Sequence, residues 1–201
     1  GNCFDTWSDA AKRRGGGSDP VSILSMVSYT QQRYGGDGNR VYATGSSSGG
    51  MMTNHMLALH PEVFRAGAAF MGVPFNCFAN AADYPPGASR CTGGSMDRTP
   101  QQWGDAVRQA FPGYTGSRPR VQLWHGTNDT LVPYQLLRES VEQWTNVFGL
   151  SQTPTSTDTR GRVGTVSASP TPPVSFRSRP TASREPGTAC RPAAWRRPPS
   201  A

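Results

Sequence analysis

Residues Gly45 to Gly49 read Gly-Ser-Ser-Ser-Gly, a G-x-S-x-G pattern between a predicted short strand and a predicted helix. In this context the central serine, Ser47, stands on a sharp, strained turn with its hydroxyl exposed at the carboxyl edge of a sheet. The backbone N–H of Ser48 and the helix N-terminus behind it are placed to stabilise an oxyanion. The pattern therefore predicts that Ser47 is a nucleophile. The alternative is a Gly/Ser turn that only caps the helix.

A second polar loop, residues 125–133, follows another apolar strand and carries Asp129. In serine enzymes built on such a strand–turn–helix unit, the acid follows the serine along the chain and a histidine follows the acid. Asp129 is therefore the predicted acid, and its alternative role is to cap the helix that Pro133 opens. His125 precedes the acid, so we interpret it as structural. The sequon Asn128-Asp129-Thr130 is interpreted as a chance match.

Apolar periodicity predicts helices that alternate with short strands. The helices are expected at residues 18–34, 51–59, 100–111 and 133–147, and the strands at 40–44, 66–71 and 121–124. The first helix begins with a cap at Ser18 and a proline in its first turn, and its broad buried face includes Met26. This alternation implies parallel βαβ units, hence an α/β fold with a mostly parallel sheet flanked by helices.

The charge of the chain is concentrated at one end. The formal net charge of +7 over 201 residues would suggest a polyanionic partner. However, residues 1–150 hold 12 basic and 11 acidic side chains, whereas residues 151–201 hold 8 arginines and 2 acidic side chains. We therefore expect no nucleic-acid partner for the main part of the chain. No run of eighteen apolar residues is present, so we also expect no membrane-spanning segment.

Cys77 and Cys91 bracket a loop rich in Ala, Pro, Gly and Ser. A disulfide between them would stabilise the fold by about 3 kcal/mol in the chain-entropy model and would indicate an oxidising, extracellular setting. The alternative is two unpaired thiols. None of the four cysteines forms a C-x-x-C zinc pattern, and we expect no metal site and no cofactor.

Nine segments between residues 1 and 159 resemble secreted esterases of the polyhydroxybutyrate-depolymerase type, and most closely the acetylxylan and feruloyl esterases of carbohydrate esterase family one. The segments are Asn2-Cys3-Phe4-Asp5, Gly15-Gly16-Gly17-Ser18-Asp19, Ile23-Leu24-Ser25-Met26-Val27, Thr44-Gly45-Ser46-Ser47-Ser48-Gly49, Met51-Met52-Thr53-Asn54, Gly72-Val73-Pro74, Thr99-Pro100-Gln101-Gln102-Trp103, Pro112-Gly113-Tyr114-Thr115-Gly116 and His125-Gly126-Thr127-Asn128-Asp129.

The resemblance implies an α/β-hydrolase fold, secretion, no metal and hydrolysis of ester groups on xylan. Ser47 takes the nucleophile position and Asp129 the acid position. We expect a monomer that removes acetyl groups from acetylated xylan. Feruloyl esterase or poly(3-hydroxybutyrate) depolymerase activity is the alternative within this class. A catalytically inactive carbohydrate-binding remnant is the alternative outside it.

The chain departs from the family at the base. The family has a histidine after the acid, but the three histidines here, His55, His60 and His125, all precede Asp129. His55 and His60 lie on and just after the helix that leads away from Ser47, so we interpret both as structural. Without a base, a serine hydroxyl is a poor nucleophile.

The two ends of the chain also differ from the family. The resemblance implies a strand pair and a loop with a second oxyanion donor ahead of Gly1. From about Arg160 the likeness stops, so we predict a partial esterase domain over residues 1–159 and a basic, Pro/Arg-rich tail over residues 160–201. Two hypotheses account for the tail: a frameshift near Thr159, or a disordered segment that binds polyanions.

Overall fold

The computed structural model describes residues 3–80, 83, 89–93, 95–158, 163–166 and 174–179. Its helices are α1 (Ser18–Tyr34), α2 (Ser48–Leu59), α3 (Pro100–Ala110) and α4 (Gln135–Phe148). Its strands are β1 (Tyr42–Ser46), β2 (Ala66–Phe70), β3 (Arg120–Gly126), β4 (Ser156–Asp158), β5 (Val163–Val166) and β6 (Val174–Arg179), and a 3₁₀ turn (Gly38–Arg40) precedes β1.

The six strands form one sheet in the order β1-β2-β3-β6-β5-β4. Strands β1, β2, β3 and β6 run parallel, and β4 and β5 are antiparallel to their neighbours. Ser46, Phe70 and Trp124 are level across β1, β2 and β3, so the carboxyl ends of these three strands meet at one edge. The predicted α/β fold with a mostly parallel sheet is confirmed.

Helices α2 and α4 pack on one face of the sheet, α3 packs on α4 and α2, and together they build the main core with the sheet. Buried side chains in this core are Met52, Leu57, Val107, Val121, Leu123, Leu137, Val141 and Trp144. Residues two apart on a strand point to the same face. On the opposite face, alternate residues of β1, β2 and β3 line an open cleft of about 310 Å³: Tyr42, Thr44, Ala66, Ala68, Arg120 and Gln122.

Helix α1 spans the predicted residues but differs in its cap and its packing. Gly17 is the N-cap, and Ser18 donates its hydroxyl to Asp5 instead of capping the helix, so the predicted cap is wrong. Ile23 and Leu24 pack partly against the core, whereas Met26 is 60% exposed. The predicted burial of Met26 is wrong because α1 touches the core on one narrow side only.

The other predicted boundaries are close to those observed. Thr99 and Gln102 form a reciprocal capping box at the start of α3, with Pro100 at its first position, which confirms the predicted cap. Helix α4 begins at Gln135 rather than at Pro133, because residues 130–134 form turns before the helix starts. Strand β3 extends to Gly126 and therefore includes His125.

The sheet continues into the basic tail. Strands β5 and β6 lie beyond residue 159, and β6 pairs with β3 over six positions from Val121–Val174 to Gly126–Arg179. These two strands lie within the segment that the sequence analysis describes as a basic, Pro/Arg-rich tail. The rest of that tail lies outside the described residues, and the frameshift stays a hypothesis. None of the helices that the structure describes is long and apolar enough to cross a membrane.

Candidate active site

Ser47 occupies the turn between β1 and α2 with backbone angles of φ 54° and ψ −119°. A non-glycine residue with positive φ is strained. The strain is held by two hydrogen bonds: the Ser47 N–H donates to the Phe70 carbonyl at 2.8 Å, and the Ser47 carbonyl accepts from the Met51 N–H at 2.9 Å. A Cβ on Gly45 would overlap the Gly49 backbone, so this turn requires glycine at position 45. The predicted tight turn around Ser47 is present.

Ser48 is the first residue of α2, where backbone N–H groups have no partner within the helix. Its N–H therefore lies at the positive end of the helix dipole, directly after Ser47. Its side chain is buried, and its hydroxyl accepts a hydrogen bond of 2.7 Å from the N–H of Phe4. The residue thus joins the turn around Ser47 to the beginning of the described chain.

Asp129 lies three residues after the end of β3. Its Oδ1 accepts hydrogen bonds of 2.9 Å from the N–H groups of Leu131 and Val132, and its Oδ2 lies 3.8 Å from Nε2 of His125. The carboxylate therefore closes its own turn. It does not cap α4, whose N-cap is Tyr134. Oδ2 accepts neither of these two bonds, which makes it the oxygen suited to receive an N–H from another group.

The register of the sheet brings Ser47 and Asp129 to the same edge. Ser47 follows β1 and Asp129 follows β3, with β2 between them. Two strand spacings correspond to about 10 Å. A third group must bridge a separation of this size if serine and carboxylate are to act together, as the histidine does in a Ser-His-Asp arrangement.

None of the three histidines is placed to be that bridge. His125 is buried and donates from Nε2 to the Val132 carbonyl at 2.7 Å, and burial lowers its pKa. His55 is buried in α2 with Nε2 2.9 Å from the Ala11 carbonyl, and burial lowers its pKa to about 4. Burial and the charge of Arg14 lower the pKa of His60, whose Nδ1 lies 3.6 Å from Glu62.

The disulfide and a second apolar cluster lie beneath the site. Cys77 and Cys91 are bonded, with Cα atoms 5.4 Å apart, so the predicted disulfide is confirmed. Both cysteines pack with residues that follow β1, β2 and β3: Met51, Val73, Phe78, Met96, Trp103, Val132 and Leu136. In this cluster the buried carboxylate of Glu139 accepts a hydrogen bond from the Trp103 indole. The disulfide therefore lies in the same buried cluster as Met51, which follows the turn at Ser47, and Val132, which follows Asp129.

One feature of the site was not predicted from the sequence. The chain before α1 is anchored beside the turn at Ser47 by Asp5, whose carboxylate accepts from Ser18 and Ser8 at 2.6 Å each. Burial acts to raise the pKa of Asp5, but these hydrogen bonds outweigh it and hold the pKa below its ordinary value. The Asp5 N–H donates to Asp19 at 2.7 Å. In the sequence, Asp5 and Asp19 stand out only as parts of the segments that resemble the esterase family.

The described residues include no group of three or more His, Cys, Asp and Glu side chains that could hold a metal ion. The chemistry that this arrangement supports is attack by the Ser47 hydroxyl on a carbonyl carbon, with the developing negative charge next to the Ser48 N–H.

A family described as the prolyl oligopeptidase family matches residues 4–144. The chain belongs to this family. The match begins at Phe4 and ends within α4, so it includes both Ser47 and Asp129.

Curated relatives of this prolyl oligopeptidase family member are named as esterases. It is 48% identical over 160 residues to feruloyl esterase B of Talaromyces stipitatus, covering 79% of this chain and 45% of that protein. It is 49% identical over 157 residues to acetylxylan esterase of Coprinopsis cinerea, covering 78% of this chain and 41% of that protein. The chain thus spans about half the length of these relatives.

A solved structure that is similar to this chain is also named as an esterase. Acetyl xylan esterase from Aspergillus awamori superposes with a TM-score of 0.78 at 35% identity, covering 88% of this chain and 66% of that one. The resemblance to acetylxylan and feruloyl esterases is confirmed by these relatives, and so is the α/β-hydrolase-like fold.

Proposed function

We propose that this protein is the nucleophile-bearing part of a secreted serine carboxylic ester hydrolase that removes acetyl groups from acetylated xylan. The observation that carries the proposal is the strained turn that holds Ser47 between β1 and α2, at the sheet edge where Asp129 also lies. Identities of 48% and 49% to proteins named as feruloyl and acetylxylan esterases support it.

In the proposed reaction the Ser47 oxygen attacks the ester carbonyl carbon, and the carbonyl oxygen becomes an oxyanion that the Ser48 N–H stabilises. The hydroxyl proton passes to a base, which gives it to the departing sugar oxygen as the acyl C–O bond breaks, so that the sugar leaves with a free hydroxyl. Water then attacks the acetyl-Ser47 ester in the same way and releases acetate. Asp129 orients the base and stabilises its positive charge through Oδ2.

The base of the proposed reaction is not a histidine of these 201 residues, because none of the three histidines follows Asp129. Dissolved imidazole has the chemistry of a histidine side chain and can take its place. We therefore infer that the chain has weak activity by itself and gains activity from added imidazole.

The remaining parts of the proposal concern location and partners. The Cys77–Cys91 disulfide supports an oxidising, extracellular compartment, because disulfides persist in secreted proteins and are rare in the cytosol. The partner is esterified xylan, and the protein acts as a monomer. Feruloyl or polyester substrates are the alternatives for the same site, and a non-catalytic carbohydrate-binding remnant is the alternative of another class.

The test is hydrolysis of p-nitrophenyl acetate at increasing imidazole concentration. Imidazole alone cleaves this ester, so the Ser47→Ala variant supplies the background. We expect the imidazole-dependent rate of the wild type to exceed that of Ser47→Ala by about tenfold or more, since general bases contribute at least this much. Ser28→Ala, the same change on the exposed side of α1, is the matched control and should keep the wild-type rate.

Equal rates for the wild type and Ser47→Ala would favour the non-catalytic alternative. Where turnover is seen, the release of acetate from acetylated xylan is compared with cleavage of methyl ferulate. Faster cleavage of methyl ferulate would replace the acetyl assignment with the feruloyl one.

A further inference from the structure

Two amide side chains are completely buried in the core, Asn54 on α2 and Gln143 on α4, each with 0% of its surface exposed. Both bond to the backbone of residues 72–75, a segment without helix or strand that follows β2. Burying an amide costs free energy unless its donor and acceptor groups are paired. The partners of these two side chains therefore indicate what they do.

Gln143 binds Phe75 in the manner of a neighbouring strand. Its Oε1 accepts the Phe75 N–H at 2.8 Å, and its Nε2 donates to the Phe75 carbonyl at 3.0 Å and to the Trp103 carbonyl at 3.2 Å. An amide carries both a donor and an acceptor, so one side chain satisfies both backbone groups of Phe75. An ionised carboxylate has no donor and an apolar side chain has neither group, so neither of them replaces Gln143.

Asn54 holds the same segment two residues earlier. Its Nδ2 donates to the Val73 carbonyl at 2.8 Å, and its Oδ1 accepts the Trp144 indole N–H at 3.2 Å. Asn54 lies on α2, whose first residue is Ser48. The bond to Val73 therefore ties the helix that carries the proposed oxyanion donor to the chain that follows β2. We call the side chains of Asn54 and Gln143 the amide clamp.

The clamped segment begins beside the nucleophile. Phe70 is the last residue of β2, and its carbonyl accepts the Ser47 N–H at 2.8 Å. The next residue, Met71, donates its N–H to the Trp124 carbonyl at 2.8 Å. Only one residue thus separates the group that holds the Ser47 turn from the clamped segment. The position of the Phe70 carbonyl therefore depends on how the chain after it is held.

Backbone strain lies on both sides of the amide clamp. Met71 and Asn76 have φ angles of 47° and 65°, and Ser47 has a φ angle of 54°. Such angles are unfavourable for residues other than glycine, persist only where the surrounding structure imposes them, and are concentrated at functional sites. The hydrogen bonds of the amide clamp supply this constraint between the two strained positions that follow β2.

We propose that Asn54 and Gln143 are positioning residues for the nucleophile. By holding residues 72–75, they keep the Phe70 carbonyl where it accepts the Ser47 N–H, and so they fix the strained turn. The inference rests on the proposed ester hydrolase function, for which it names two residues that act without touching the substrate. A purely structural amide pair stabilises the whole fold alike, whereas a positioning pair also prevents local opening at Ser47.

The experiment is amide hydrogen exchange of the full chain, followed residue by residue by NMR, because it needs neither substrate nor base. Gln143→Met and Asn54→Leu stay close to the original side-chain volumes and remove the hydrogen bonds. In both variants the Ser47 and Met71 N–H groups should exchange about tenfold faster than in the wild type, relative to the amides of β3. The Phe75 N–H loses its own partner in Gln143→Met, so Ser47 and Met71 are the discriminating groups.

A milder variant keeps the test valid if Gln143→Met does not fold. Gln143→Glu keeps an oxygen that accepts the Phe75 N–H, so it should speed exchange at Ser47 by a smaller factor than Gln143→Met. Exchange at Ser47 that is unchanged in both Gln143→Glu and Asn54→Leu would overturn the inference.

Thr145→Val is the matched control. Thr145 is also a buried polar residue on α4, but its hydroxyl donates to the Val141 carbonyl within the same helix at 2.6 Å. The change should leave exchange at Ser47, relative to the amides of β3, as it is in the wild type. The inference is overturned if the clamp variants speed exchange at Ser47 no more than in β3, or if Thr145→Val has the same local effect as they have.

Turnover separates the inference from the proposed function. In the imidazole assay Gln143→Met should lower the Ser47-dependent rate about tenfold, because a displaced nucleophile attacks less often, and Thr145→Val should keep the rate. Local opening at Ser47 that depends on Gln143, in a protein without Ser47-dependent turnover, supports the amide clamp and overturns only the hydrolase proposal. Turnover and exchange at Ser47 that are both unchanged in Gln143→Met overturn the amide clamp and leave the hydrolase proposal in place.

Discussion

The side chains of His125 and Asp129 both hydrogen-bond to the backbone of Val132, in the loop that follows β3. Nε2 of His125 lies 3.8 Å from Oδ2 of Asp129 and donates to the carbonyl of Val132 at 2.7 Å, while Oδ1 of Asp129 accepts the Val132 N–H. Val132 is thus bonded through its carbonyl to one side chain and through its N–H to the other. Because of these two bonds, the orientation of the Asp129 carboxylate depends on a buried histidine that has no place in the proposed reaction.

Replacing His125 tests this dependence. His125→Ala leaves the Val132 carbonyl without its donor, so the free energy of unfolding should fall by about 1–3 kcal/mol, plus the cost of the cavity. His125→Gln keeps an N–H donor on the side chain and should lose less. Urea unfolding measures both values. If both variants unfold at the wild-type midpoint, His125 does not hold this loop.

The two glycines of the G-x-S-x-G pattern should respond differently to alanine. A Cβ at Gly45 would overlap the Gly49 backbone, whereas a Cβ at Gly49 meets no atom within 4 Å. Gly45→Ala should therefore destabilise the protein by about 1–3 kcal/mol. Gly49→Ala lies in α2 and should leave stability unchanged or raise it by up to about 1 kcal/mol. Thermal unfolding compares the stability of Gly45→Ala and Gly49→Ala with that of the wild type. Equal losses of stability in the two variants would show that the turn around Ser47 is not packed as described.

His55 should make stability depend on pH. Burial lowers its folded-state pKa to about 4 from an ordinary value of 6.5, so the unfolded chain binds more protons between these values. The contribution of His55 is complete above pH 6.5 and is lost as the pH falls toward 4, by about 3 kcal/mol in all. Urea unfolding of the wild type and of His55→Gln at several pH values gives the free energy of unfolding as a function of pH. The difference between the two slopes is the contribution of His55. Identical slopes would contradict its burial as a neutral ring.

The Cys77–Cys91 bond closes a loop with a sequence separation of 14. Replacing both cysteines by alanine should lower the free energy of unfolding by about 3 kcal/mol in the chain-entropy model. A thiol reductant should lower the unfolding midpoint of the wild type and leave the double variant unchanged. If the reductant lowers the unfolding midpoint equally in both proteins, its effect does not come from this disulfide.

Much of the site follows from short stretches of sequence. Gly45 to Gly49 between a strand and a helix predict the strained turn at Ser47, because a turn of this kind depends on the few residues that form it. The cap of α3 was likewise predictable from the sequence, because the capping box of Thr99 and Gln102 involves residues only three positions apart. The acid position of Asp129 follows from its place after a strand, since parallel strands end at a common edge.

Other features depended on contacts between distant residues. The bond between Phe4 and Ser48 joins positions 44 apart, and no local pattern distinguishes Phe4 from another exposed aromatic residue. The exposure of Met26 was mispredicted because its periodicity suits a buried face, whereas α1 contacts the core through Ile23 and Leu24 on one side of the helix. The pairing of β6 with β3 was also missed, since the tail carries few apolar residues by which to predict a strand.

The sequence by itself determined the class of fold, the candidate nucleophile and acid, and the lack of a histidine after Asp129 in these 201 residues, whereas it left the Cys77–Cys91 disulfide as one of two alternatives. Only the tertiary structure decided that Asp129 closes its own turn with His125 beside it, and that Asn54 and Gln143 hold the segment that follows β2. The reason is physical: turns and caps are stabilised by neighbouring residues, whereas the parts of a site are brought together by sheet register and by hydrogen bonds across the fold.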